Sequence, residues 1–523
     1  MKTYILDGNQ LTIPEVFDLA NKNAHAKLSS IAKRNIVRAR KLIVQWTNNG
    51  EVVYGVTTGF GEFANVKVKA EDIEQLQENL IFSHAAGTGD MLPAEVVRAM
   101  MALRVNALAK GFSGIRLSTV ELLMEMLNRD IVPVIPSQGS VGASGDLVQL
   151  AHLVLAMMGK GKIHQKEKGK RTTYTLVDSS AALRKNGLQP VRLTAKEGLA
   201  LINGTQMMTA YAALAVHQAK LLAKIADIAA SISVEALRGS DTAFDERIHQ
   251  LRPYKGQLAA AKNMRRLMHS SELRESHRRN DMRVQDAYSI RCIPQVHGAS
   301  RDAIDYVYDN ISIEINSAND NPLIFPEEGI HLEGGNFHGQ PVALAMDFLA
   351  IALSELANIS ERRIERLVNG SLSGLPRFLT PNGGLNSGLM IAQYTAASLV
   401  SENKVLAHPA SVDSIPTSAN QEDHNSMGSI SAQKAWRVLK NAQTVLAIEL
   451  LCASQGMDFA RTLKDKKPLK AGRGTEAAYQ CVRKHIKHLH RDRVLYDDIQ
   501  KALGLVLDGS ILPAVEERIG KLD

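Results

Sequence analysis

The chain has 523 residues, a formal charge of +8 and a pI near 9.2, with 45% hydrophobic and 5% aromatic residues. That length admits one large domain or two to four of roughly 100–200 residues each, and an Ala- and Leu-rich balance short of aromatics favours helix over sheet. The charge excess is modest. Its basic runs at 166–171 and 464–467 carry no interleaved aromatics, so they read as solvated loops rather than a nucleic-acid surface.

Three scattered cysteines, Cys292, Cys452 and Cys481, form no C-x-x-C pair. This argues against a disulfide framework or a zinc site and suits a reducing compartment. The first residues have no apolar core of a secretion signal, and charge interrupts apolar stretches such as 343–353 before they reach membrane-spanning length. The expectation is a cytoplasmic protein with no metal, nucleic-acid or membrane partner.

In chain order, the first 195 residues alternate short helical segments with Gly- and Pro-bearing turns. Residues 132–138 (Val-Pro-Val-Ile-Pro-Ser-Gln) read as extended, because two prolines exclude helix. A helix over 147–158 follows. From 195 to 237 the chain is Ala- and Leu-rich without proline and predicts one long helix, with Gly198 and Gly204 as weak points near its start. The polar stretch 275–280 reads as a loop. Residues 342–368 place Ala345, Phe348, Leu349, Ala352, Leu353, Leu356 and Ile359 at helical spacing before turning charged. Further long helices are expected over 388–406 and 430–460. The predicted fold is mainly α: an N-terminal mixed region, 1–195, on a bundle of long antiparallel helices, 196–523.

The segments that carry chemistry lie beside glycines. Tyr54 stands in Tyr-Gly-Val-Thr-Thr-Gly-Phe-Gly, where it can approach a ligand; as a base it would need help, since a free tyrosine titrates near 10. The nine residues from Gly139 to Leu147 read Gly-Ser-Val-Gly-Ala-Ser-Gly-Asp-Leu. They match neither a P-loop nor a dinucleotide fingerprint, and a plain turn or anion site is the simple reading. Ala143-Ser144-Gly145 admits another. Gly145 has no Cβ, so its amide nitrogen can attack the Ala143 carbonyl carbon. Loss of one water closes a five-membered ring, and loss of a second from Ser144 leaves an exposed alkene, an electrophile no ordinary side chain offers. A helix starting at 147 would point its positive end there.

Gln285, Tyr288 and Arg291 stand three apart and predict one helical face, with Arg291 able to grip a carboxylate. His338 in Gly-Gly-Asn-Phe-His-Gly suits a packed histidine better than a metal ligand. His485, His488 and His490 lie among lysines and read as a solvated basic face. In Ser418-Ala419-Asn420-Gln421-Glu422-Asp423-His424, helix capping and acid–base chemistry by Glu422 are both open.

Taken together, these motifs resemble the aromatic amino acid ammonia-lyase and aminomutase family, and its bacterial histidine-specific branch most closely, from about residue 6 to 460. The Gly142-Ala143-Ser144-Gly145-Asp146-Leu147 run is highly specific to that family. The resemblance implies a mostly helical homotetramer with active sites shared between subunits and no external cofactor, because Ala143-Ser144-Gly145 matures into 4-methylideneimidazole-5-one (MIO). Position by position, Tyr54 matches a catalytic tyrosine and His84 a contact to the substrate side chain. Asn203 and Arg291 match residues holding the amino acid backbone; Gln285, Tyr288 and Phe337 match residues lining the electrophile. Glu422 marks the histidine branch, since tyrosine-specific relatives tend to carry Asn-Gln-Asp there. Two positions depart from that branch: Val148-Gln149 replaces the usual Ala-Pro, and Asn425 the usual valine.

The implied reaction converts L-histidine to trans-urocanate and ammonia. Tyr54 or Glu422 removes the β-proton, with Tyr54 the preferred base and Glu422 and His84 reading the imidazole. A tyrosine or phenylalanine ammonia-lyase or aminomutase on the same scaffold, and a non-catalytic helical scaffold, are the alternatives.

Overall fold

The computed structural model describes residues 2–166, 174–279, 281, 283–462 and 468–523. Residues 167–171 of the first basic run, all of the second, and Asn280 and Met282 lie outside these. Helix dominates the described residues, as expected from the composition. The chain divides into two compact units, each discontinuous in sequence. The first comprises Met1–His217, Tyr308–Asp347 and Pro409–Gln433; the second comprises Gln218–Val307, Phe348–His408 and Lys434–Asp523.

The helices that matter most are α1 (Ala94–Ala109), α2 (Leu147–Met157), α3 (Glu197–Ile202), α4 (Gln206–Ala236), α5 (Ile293–Glu314), α6 (Gln340–Val368) and α7 (Gly428–Ala460). The first unit also carries all the described strands, in sheets of two or three, beginning with the parallel pair Lys2–Leu6 and Ala24–Leu28. The proline-bearing stretch at 132–138 forms the short strands Val132–Pro133 and Pro136–Gln138, as its proline content predicts.

The predicted single helix over 195–237 is two helices, α3 and α4, interrupted at Asn203-Gly204-Thr205. The cause is tertiary. Gly204 forms a parallel bridge with Gly145, donating to the Ser144 carbonyl at 3.2 Å, while its own carbonyl accepts from Asp146 N at 2.7 Å. Those backbone groups cannot also serve a helix. The predicted common face of Gln285, Tyr288 and Arg291 is also corrected. Helix exists only over Tyr288–Arg291, because Ala287 is extended (φ −62°, ψ 158°) and leaves Gln285 outside. In the 275–280 stretch, Arg278 bridges Asp241 and Glu275 at 2.8 and 2.7 Å, after a short helix Glu272–Glu275.

Helix α6 follows the predicted stripe: Ala345, Leu349, Leu353 and Leu356 are fully buried, although Phe348 is 43% exposed. By length and composition it is apolar enough to cross a membrane, with only Asp347 and Glu355 interrupting its apolar part. However, 67% of its apolar window is buried inside the protein, which is how a core helix passes the same test.

In the second unit, helices pack around buried charge. Arg363 on α6 donates through Nε and Nη2 to both Glu449 oxygens on α7, at 2.6 and 2.9 Å, with both side chains fully buried. Ser233 on α4 donates to the same carboxylate at 2.7 Å. Beside it His297 on α5 meets Asp227 on α4 at 2.7 Å. Two-pronged geometry and full partnering offset desolvation. Arg363→Met leaves Glu449 buried and unpaired, and should lower stability by about 3–5 kcal/mol. Arg363→Met/Glu449→Leu should recover most of that loss; urea unfolding midpoints check both.

Candidate active site

The tripeptide sits in a loop pinned on both sides. Val141 O accepts from Met427 N at 2.8 Å, and Gly142 O from Ser426 Oγ at 3.0 Å. On the other side lies the Gly204 bridge. Gly145 adopts φ +78°, and a Cβ there would fall 2.0 Å from Gly204 O, so no other residue fits. The Gly145 amide donates no hydrogen bond among the described residues. A tight turn of small residues, clamped at both ends with that nitrogen uncommitted, fits the ring closure read from the sequence.

Asp146 does the clamping. Its carboxylate is fully buried and accepts from Met207 N and Met208 N at 2.8 and 2.9 Å, and from Ser429 Oγ at 2.8 Å. These are the otherwise unpartnered amides at the start of α4 and a hydroxyl in the first turn of α7. Burial pushes Asp146 up to about 7, against those three hydrogen bonds. Helix α2 begins at the next residue, and Ser140 Oγ accepts from Val148 N at 3.1 Å. Sequence reasoning passed over Asp146; a lone carboxylate between a glycine turn and an apolar helix was the available signal.

Beside Ser144 opens a cavity of about 790 Å³, lined among others by Tyr54, His84, Asn203, Phe337 and Glu422. So six predicted positions, Ser144 included, come together within the first unit. Tyr54 Oη accepts from Gly61 N at 3.2 Å. Burial raises the tyrosine above its usual range, Gly61 opposes this, and Glu422 and Glu333 add to it. His84 shares a 3.0 Å hydrogen bond with Ser83 Oγ, and burial holds it below the usual imidazole range, against a backbone hydrogen bond to Leu80 and the Glu422 carboxylate. Gln285, Tyr288 and Arg291 belong to the second unit and are not among the lining residues. Arg291 lies with its guanidinium 4.4 Å from the Tyr288 ring centroid, its Nε buried without a partner. The cavity lining includes no Arg or Lys among the described residues.

Glu422 reaches the cavity from a strained hairpin. Ser418, Ala419 and Asn420 all adopt positive φ (51°, 52° and 68°), each of which costs a non-glycine residue about 1 kcal/mol or more. Thr417 and Glu422 pair across the base. Thr417 Oγ1 donates to Glu422 Oε2 at 2.7 Å, and Glu422 Oε1 lies 3.5 Å from Ser144 Oγ. Asn425, which the family resemblance marks as a departure, donates through Nδ2 to Ile415 O at 2.5 Å and Thr417 Oγ1 at 3.2 Å. The other departure is also accounted for: Gln149 is buried and donates to Ser137 O at 3.1 Å. His338 packs parallel to His424, ring centroids 5.9 Å apart, and meets the His424 carbonyl at 3.0 Å, a packed histidine as its motif suggested.

The aromatic amino acid lyase family model matches residues 11–484. A histidine ammonia-lyase of Caldanaerobacter subterraneus is 57% identical over 517 residues, covering 99% of each chain. Among solved structures, a histidine ammonia-lyase from Trypanosoma cruzi superposes with a TM-score of 0.90 at 45% identity, over 99% of this chain and 96% of its own. A tyrosine aminomutase from Streptomyces globisporus gives 0.92 at 37%, over 100% of each. A clamped turn of small residues, a cavity beside it and these full-length matches agree: the chain belongs to the aromatic amino acid lyase family. It is an ammonia-lyase.

The hairpin yields a prediction. Thr417→Val removes the hydroxyl that orients Glu422, and ammonia release should fall about tenfold or more in kcat. Thr417→Ser keeps the hydroxyl and should restore most of it; steady-state kinetics of the two variants decide.

Proposed function

We infer that this chain eliminates ammonia from L-histidine to give trans-urocanate, the opening step of histidine degradation. The observation that carries the reading is Glu422, held beside Ser144 in a cavity that also presents the imidazole of His84. A carboxylate accepts an imidazole N–H, which a benzene ring does not possess. The full-length relatives named above support the same substrate.

The elimination is hard because the β-proton is weakly acidic and ammonia leaves poorly. The residues at 143–145 fit an MIO group, which supplies an electrophile that makes the substrate's amine a better leaving group. Glu422 and His84 orient the imidazole, a proximity effect. Tyr54 removes the β-proton. Its burial favours the protonated phenol, so a nearby cation is needed to draw it down. The cavity's own lining offers none, and Arg291 supplies that charge and grips the substrate carboxylate. Since Gln285, Tyr288 and Arg291 do not line the cavity, neighbouring subunits of a homotetramer complete each site.

One observation favours a second reading, a tyrosine lyase or aminomutase on this scaffold: the likeness to a tyrosine aminomutase over 100% of each chain. Comparing urocanate formation with coumarate and cinnamate formation decides between them.

Ser144→Ala should abolish turnover and the near-UV absorbance of the ring together, and near-wild-type turnover would sink the electrophile assignment. Tyr54→Phe should lower kcat by roughly 10²–10⁴. Mixing Ser144→Ala with Arg291→Lys protomers should regenerate activity that neither parent shows, as sites shared between subunits require.

A further inference from the structure

The helix that begins just after the tripeptide also holds the segment that presents His84. His84 ends the helix Ile73–His84, and residues 85–87 join it to the strand Thr88–Met91. In that joint Gly87 N donates to His152 Nε2 at 3.1 Å, from the second turn of α2. A Cβ at Gly87 would fall 3.0 Å from the same nitrogen, 3.1 Å from Val148 Cγ1 and 3.1 Å from Pro136 Cβ. Val148 and His152 stand four apart and share a face of α2. Gly87 lies close against that face, which its lack of a side chain permits. Leu147, at the start of α2, lines the same cavity as Ser144, Ser83 and His84. One short helix therefore carries the reactive turn at its start and the His84 joint on its side.

The contact fixes the chemical state of the ring. A backbone amide only donates, so the nitrogen facing it carries no proton. His152 is neutral, with its proton on Nδ1. A second proton would set one N–H against another, and the contact would open. Titratable groups on the elements packed against α2 are Glu74, Glu78 and His84 on the helix Ile73–His84, Glu197 on α3, and Arg184 and Lys185 on the helix Ser179–Lys185; Asp90 follows Gly87 in the strand. None of these acts on His152. Burial alone holds it below the usual imidazole range, which favours the accepting form.

We propose that His152 is a positioning residue: its neutral ring holds the 85–87 joint on α2 and so sets His84 relative to Ser144, and protonation of the ring releases the joint. His84 then grips the substrate side chain less firmly, so acid weakens substrate binding more than it slows the chemistry. This inference rests on the proposed histidine reaction, in which His84 reads the imidazole.

The test compares His152→Gln and His152→Leu with the wild-type enzyme, all full length. Urocanate formation by the wild-type enzyme is measured first; its absence counts against the reaction, and the exchange measurement below still judges the contact. Glutamine puts an uncharged oxygen near the place of Nε2 and does not titrate, whereas leucine offers no acceptor. At about pH 8, His152→Gln should keep KM for histidine within about twofold of wild type, and His152→Leu should raise it about tenfold with a smaller fall in kcat. Below about pH 6.5 the wild-type KM should climb above that of His152→Gln. The substrate's own imidazole titrates alike for both enzymes, so the ratio of the two KM values isolates His152. Hydrogen exchange at the Gly87 amide, read by mass spectrometry, should quicken about tenfold or more in His152→Leu and stay slow in His152→Gln. A KM ratio that does not vary with pH, unchanged exchange at Gly87 in His152→Leu, or a fall in its kcat as large as the rise in KM overturns the proposal. Should His152→Leu not fold, the pH dependence of the ratio for His152→Gln decides alone.

Discussion

The Asp146 carboxylate is the contact on which the site depends. It follows the tripeptide directly and takes hydrogen bonds from the first amides of α4 and from Ser429 in the first turn of α7. Helix starts carry unpaired N–H groups and partial positive charge, so an anion there is stabilised. One side chain thereby ties a flexible small-residue turn to two long, stiff elements. The turn needs glycines to bend, and glycines alone would leave it mobile; the anchors remove that freedom.

The same break in the chain serves two purposes. Asn203-Gly204-Thr205 interrupts what composition would make one helix, and the freed Gly204 groups pair with the tripeptide strand. Asn203, displaced from the helix by that pairing, enters the cavity as a fixed amide. Local helix propensity is worth a few tenths of a kcal/mol per residue. Backbone hydrogen bonds in a buried site must be satisfied somewhere, and here that requirement prevails.

Strain is concentrated in the hairpin that carries Glu422. Three consecutive non-glycine residues in left-handed conformation bring Glu422 toward Ser144, and Thr417 and Asn425 hold the hairpin's base. Such conformations persist only where surrounding contacts over-determine them. The histidine-branch departure at Asn425 belongs to this network: a valine could not donate to Ile415 O or Thr417 Oγ1. The second unit shows the complementary solution, with Arg363 and Glu449 buried among apolar helices and each the other's partner.

The sequence by itself determined the helical class, the positions of the long apolar helices and the small-residue turn at Ala143-Ser144-Gly145. Each rests on residues adjacent in the chain: spacing at about 3.6 residues per turn, proline exclusion, and the smallness of Gly142 to Gly145. It also singled out Tyr54 and Glu422 from their own short motifs, and His84, Asn203 and Phe337 through resemblance to the family. Only the tertiary structure decided that α3 and α4 are separate, that Gln285 stands outside the helix of Tyr288 and Arg291, that Asp146 and Thr417 hold residues beside the cavity, and that Lys196 and Asp320 pair in the interior. Asp146 meets Met207 from 61 residues away, Lys196 meets Asp320 from 124, and Glu422 meets Ser144 from 278. A buried hydrogen bond or ion pair at such separations leaves no periodic trace in a single chain. Local order follows from local composition, whereas the orientation of a buried carboxylate or amide follows from whichever groups the fold brings against it.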